Sequence, residues 1–262
     1  MIHTEREFSK MSQNRGFVRL APRFYARCIG DGVYQTIYTG FKKYINITSP
    51  NYSAQNRKSY YISIGIRSIY SCHNEDVFIP GKNTGGYRPA DLCIKGKYSG
   101  PFNGIEEEYA FMEQGGFDAL DEINSQEKFL EWWGAVQVID TGYRVHDISL
   151  VEPFLLCGKL HEAECEISVS YIQTMSAYYS YKNRVESGML ESCHQYVQRI
   201  LESTERDLTF WHWCMGRKHE EFHSYICENY HRNMEWMCKY GIVTSQCNRQ
   251  RNLPESVFGI RN

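Results

Sequence analysis

"RFYARCIGDGVYQTIYTGF", residues 23–41, decides how this chain folds. "RFYARCI" reads as a strand of aromatic and apolar side chains. Gly30-Asp31-Gly32 supplies the turn, because glycine accepts the positive φ that tight hairpins demand. "VYQTIYTGF" reads as the returning strand. "YINIT" (44–48) is a further candidate, and "SYYISIGIRSIY" (59–70) is the strongest strand pattern in the chain. Together they predict an antiparallel β-meander.

The flanks extend the pattern. Thr4 to Asn14 predicts a short helix ending before Gly16. Pro80 to Gly104 is rich in glycine and proline and predicts loops. After Gly116 the chain turns helical. Ser125 is placed to cap "QEKFLEWWGAV". Pro153 fits the first turn of a long helix running towards Ser187. Further helices are expected over Met189 to Glu202 and Arg217 to Tyr240. Strands first and helices afterwards are the pattern of an α+β fold. The expected division is a β-rich α+β region, 1–115, and a helical region, 116–262, as two units or as one continuous domain.

The chain has 262 residues, 42% hydrophobic and 23% charged, which suits a packed globular core. The net charge of −2 argues against a broad phosphate-binding surface, so nucleic acid is not an expected partner. No stretch is apolar for long enough to cross a bilayer. "MIHTEREFSKMSQNRGF" lacks the apolar centre of a signal peptide, so an intracellular, cytoplasmic setting is expected. The ten cysteines include no C-x-x-C pair and are expected to be reduced thiols. The end of the chain, with Arg249, Arg251 and Arg261, reads as a solvated tail. The unusual feature is 20 Tyr, 13 Phe and 5 Trp, since Tyr and Trp are enriched at protein interfaces.

Three groups of residues could carry chemistry. His219-Glu220-Glu221-Phe222-His223 fits H-E-x-x-H, in which two histidines on one helix face hold zinc and the glutamate activates water. His219 and His223 would be the ligands and Glu220 the base. A third ligand is required, and His212, Glu228, His231 and Glu235 are candidates. The chain departs from the longer zinc-protease pattern: Ile226 stands where glycine is needed and Asn229 where histidine is needed. On a helical wheel His219 and His223 fall on the apolar side, which equally suits histidines at the edge of a core. Arg217, Lys218 and Glu221 place charge where such zinc helices are buried.

Cys157, His161 and Cys165 are four apart and would form one stripe on a helix. With His223 and Cys227 they could close a structural zinc site; otherwise the cysteines pack as small apolar side chains. Glu106-Glu107-Glu108 reads as a solvated acidic turn rather than half of a nuclease site. Trp132-Trp133 and Trp211-His212-Trp213 put large rings on both sides of a helix, so one ring of each pair should be buried and the other should meet a second packed helix or a partner surface.

The N-terminal half resembles a small family of bacterial proteins catalogued as domain of unknown function 4304. The resemblance rests on the N-terminal helix followed by Gly16-Phe17, on "FYARCIGDGVYQTI", on "SYYISIGIRSIY" and on "FDALDEINSQEKFLEWW". It implies a place in immunity and conflict systems and no assigned chemistry. The leading expectation is therefore a non-enzymatic protein-binding module of the immunity or defence-inhibitor type, with Trp132, Trp133, Trp211 and Trp213 as contact residues and no cofactor. The alternatives are a zinc-dependent hydrolase and a zinc-stabilised helical protein.

Overall fold

The computed structural model describes residues 4–43, 58–71, 104–141, 148–242 and 250–259. Helix α1 spans Glu5–Asn14. Thr4 caps it reciprocally with Glu7, so two otherwise orphaned backbone donors are satisfied. Four strands follow: β1 (Val18–Ala21), β2 (Phe24–Ile29), β3 (Val33–Lys43) and β4 (Lys58–Ser68). They form one antiparallel sheet in the order β1-β2-β3-β4. The meander read from "RFYARCIGDGVYQTIYTGF" is present, with Arg27 opposite Gln35 and Cys28 opposite Tyr34. The candidate strand "YINIT" and most of the Pro80 to Gly104 loop lie outside the described residues.

The sheet is covered on both faces. Tyr25 packs edge-on against Phe8 of α1, at 5.4 Å between ring centroids. Next comes a helical run: α2 (Ile105–Phe111), a π-turn (Met112–Gly116) and α3 (Phe117–Glu122). Gln35, on the same face as Tyr25, donates to the carbonyls of Leu120 and Ile123 at the end of that run, at 2.8 and 2.9 Å. The proposed boundary at 115/116 falls inside the π-turn. Helix α4 (Gln126–Thr141) begins where expected, and Ser125 Oγ accepts from the Lys128 amide at 3.2 Å.

The second half is α5 (Val151–Leu156), α6 (Leu160–Glu186), α7 (His194–Met215) and α8 (His219–Lys239). The single long helix expected from Pro153 is broken. Gly158, at φ +72°, ends α5, and the chain restarts at Leu160. This left-handed glycine stop is a common helix terminator. The helix expected from Met189 starts only at His194. Helix α8 covers the second face of the sheet. Trp236 meets Tyr34 edge-on at 6.4 Å. Asn229 and Asn233, one turn apart and buried, donate to the carbonyls of Tyr70, Ile69 and Ser71 just past β4. One cluster of buried apolar side chains runs from Phe8 to Phe258. The fold is α+β, and no helix among the described residues is long and apolar enough to cross a membrane.

Two sequence expectations fail in the core. The C-terminal segment is not a solvated tail through Arg251. Its backbone N–H donates to the Tyr70 hydroxyl at 2.6 Å, and its guanidinium binds Asp31 at 2.6 Å and Glu127 at 3.0 Å. This charge-assisted fork pushes the Glu127 carboxyl down to about 2. Leu253, Val257 and Phe258 are buried beyond it. The second failure is Cys28, which is disulfide-bonded, while the other described cysteines are free. Cysteine usage therefore no longer argues for a reducing compartment.

Candidate functional site

The H-E-x-x-H stretch forms the first turns of α8, as its spacing predicted. His219 and His223 stack with ring centroids 6.0 Å apart. His219 also meets Phe258 edge-on at 6.0 Å, and its Nε2 is buried without a partner. His223 touches the Cys227 thiol, 3.7 Å from Nδ1, and Gln250 donates to that sulfur at 2.8 Å. Glu220 lies on the exposed side, and so do His212, Glu228, His231 and Glu235. Among the described residues, no group of three or more His, Cys, Asp or Glu side chains is arranged to hold a metal ion.

The cysteine stripe is lost with the helix break. Cys157 is the C-cap of α5, one residue before Gly158, so it is out of helical register with His161. Its thiol lies near the Glu127–Arg251 pair, and burial pushes it up to about 12. His161 and Cys165 contact each other at 3.9 Å on α6. Cys227, on α8, accepts from Gln250 of the C-terminal segment.

A cleft of about 760 Å³ opens where α1, β2 and α3 meet, lined by Arg15, Arg27, Asp121 and Asn124 among others. Arg27 is buried in its wall. Its Nε donates to Gln35 at 2.8 Å and its Nη1 to the Arg15 carbonyl at 2.7 Å and to Asp121 at 2.6 Å. The guanidinium also lies 4.3 Å over the Phe17 ring. Arg15 pairs with Asp118 and Asp121. Two cations thus face two carboxylates, and the wall is balanced in charge. Strands β2 and β3 here form a structural lock between sheet and helix through Arg27 and Gln35.

The four tryptophans expected as contact residues separate cleanly. Trp132 and Trp133 are half-buried around Phe129. Trp213 is half-buried in a cluster with Phe210, Phe222 and Tyr225. Trp211 alone of the four is exposed. It belongs to a larger surface that single-residue reading missed.

That surface is the α6–α7 hairpin. No side chain between residues 168 and 199 is buried, so the far end of the hairpin reaches beyond the core. The two helices are held together by polar contacts. Asp207, fully buried on α7, accepts from Ser170 at 2.9 Å and Thr174 at 3.4 Å on α6, and Arg206 binds its other oxygen at 2.9 Å. Thr204 approaches the Met175 sulfur at 4.0 Å. On α7 the buried Ile200, Asp207, Phe210 and Cys214 occupy one arc. Leu201, Leu208, Trp211 and Met215, exposed at 47%, 38%, 37% and 61%, occupy a second arc about 100° away at roughly 100° per residue. A helix apolar on two sides has a second surface to cover. The signal was present in the sequence as a seven-residue repeat of Leu201, Leu208 and Met215.

Comparison of the chain with protein-family models, curated proteins and solved structures returned no match in any of the three.

Proposed function

We propose that this chain works by binding another protein chain through the outer face of the α6–α7 hairpin. The observation that carries the reading is the exposed stripe of Leu201, Leu208, Trp211 and Met215 on a helix whose other side is already packed. Tryptophan is among the side chains enriched at the energetic centre of an interface, and the aliphatic side chains around it supply apolar area and exclude water. The immunity or defence role rests on the resemblance of the N-terminal half alone and is carried forward on that basis. The test is to compare proteins cross-linked to the wild-type chain in its native cells with those cross-linked to Leu208→Glu and Trp211→Ala. Both variants should lose the partner, with affinity falling at least about 30-fold. Both side chains lie at the surface, so both variants should keep the wild-type circular dichroism spectrum and a cooperative melting transition. Retention of the same partner by both variants would refute the reading.

The zinc hydrolase remains the alternative because His219 Nε2 is buried and unpartnered. It needs a third ligand besides His219 and His223. We expect the chain, purified without added metal, to carry well under about one zinc per molecule and to keep its fold in chelator. Elemental mass spectrometry giving about one equivalent would reverse the order of the two readings.

A further inference from the structure

We infer that the partner of the hairpin face is a second copy of this chain, packed antiparallel through α7. The inference rests on the reading of that face as a docking surface and names its occupant. Leu201, Thr204, Leu208, Trp211 and Met215 follow one another at intervals of three, four, three and four residues. This is the a/d seam of a coiled coil, and it contains no charged side chain. Helix α6 runs alongside, so two hairpins face to face make a four-helix bundle.

A two-fold interface must be complementary to itself, residue i meeting j and j meeting i. The seam satisfies this when the axis passes between Leu208 and Trp211. Leu208 then packs against Trp211 of the second copy, and Thr204 against Met215. Each layer matches a smaller side chain with a larger one. The edge of the seam away from α6 carries Gln198, Glu205 and His212, all exposed or at the surface. Run against its own reverse, this edge brings Glu205 of each copy next to His212 of the other, twice. Arg199 and Arg206 lie on the far side of α7 by the same wheel and do not oppose the contact. The opposite edge of the seam is occupied in each copy by α6, as the Ser170–Asp207 bond marks.

The face is small, which favours a weak, reversible contact. From Thr204 to Met215, the span over which the layers match, the seam is about 17 Å long, and two helices are about 20 Å wide. That is below the size of a stable, permanent interface and in the range of weak, reversible ones, so a dissociation constant of the order of tens of micromolar is expected.

Sedimentation equilibrium of the full chain, from about 1 to about 200 µM, tests this directly. The wild type should pass from monomer to dimer across the range. Leu208→Glu should stay monomeric with an unchanged circular dichroism spectrum. Glu205→Lys and His212→Glu should each weaken the dimer several-fold, and the two together should restore it, because the reversed pair is again complementary. A wild type that is monomeric throughout would overturn the second-copy inference. So would a dimer indifferent to Leu208→Glu, or a double variant no tighter than the singles. The docking reading fails separately, when neither Leu208→Glu nor Trp211→Ala changes what is cross-linked in cells.

Discussion

Gly30→Ala should cost the fold about 3–5 kcal/mol, among the largest effects expected of one added methyl group. Gly30 sits at φ +57° where β2 turns into β3. A Cβ there would lie 1.6 Å from the backbone oxygen of Asn124. The obstacle is backbone, so no side-chain rotation relieves it. Either the turn or the segment between α3 and α4 must move. Movement would strain the Asp31 amide bond to Asn124 O at 3.2 Å and the Gln126 bond to the Gly32 carbonyl at 3.1 Å. It would also disturb Asp31 as a partner of Arg251. Gly16→Ala is the control. Gly16 has φ +80°, but a Cβ there meets nothing within 4 Å. It should show only the left-handed backbone cost, about 1–2 kcal/mol. Urea unfolding of both variants separates the two costs through their midpoints. Equal shifts would mean that the turn and Asn124 are not in rigid contact.

The same region shows what local patterns can and cannot reveal. The hairpin was legible because glycine at a turn and strand-forming side chains on both sides are local constraints. The Ser125 cap and the extent of α8 were legible for the same reason. Arg251 was not. Its partners Asp31 and Glu127 lie far away in sequence, and a basic residue near a chain end looks solvated until its partners are known. The Leu253, Val257 and Phe258 that follow were the available sign that this segment docks. The break at Gly158 was not legible, because Pro153 marks a helix start and a glycine within a helical pattern is compatible with continuation as well as with a stop. For the candidate surface, the motif that drew attention, H-E-x-x-H, carries side chains that pack on Phe258 and each other. The hairpin stripe is an ordinary row of apolar residues whose meaning depends on which side of α7 the core takes.

Glu108 departs from the solvated acidic turn that its sequence suggests, and it carries the clearest dependence on pH. Of the Glu106-Glu107-Glu108 run, the first two are exposed and Glu108 is fully buried on α2. One carboxyl oxygen accepts from the Gly40 amide at 3.2 Å, and the other is buried with no partner. Burial pushes the group up to about 8, against a small opposing pull from the Gly40 bond and Arg23. The folded chain therefore holds this proton more tightly than the unfolded chain does. Its contribution is fully present below about pH 4.5, declines as pH rises, and is lost above about pH 8, a swing of roughly 3–5 kcal/mol. Glu108→Gln keeps an oxygen for the Gly40 amide and cannot ionise. It should match the wild type within about 1 kcal/mol near pH 5 and exceed it by about 2–4 kcal/mol near pH 9. Urea midpoints across that range read the difference, and other titrating groups cancel because both proteins carry them. Parallel profiles for the two proteins would show that Glu108 reaches water and ionises without cost. A gain confined to high pH would place an uncharged carboxyl inside the sheet–helix core at neutral pH, held there by Gly40 and the desolvation around it.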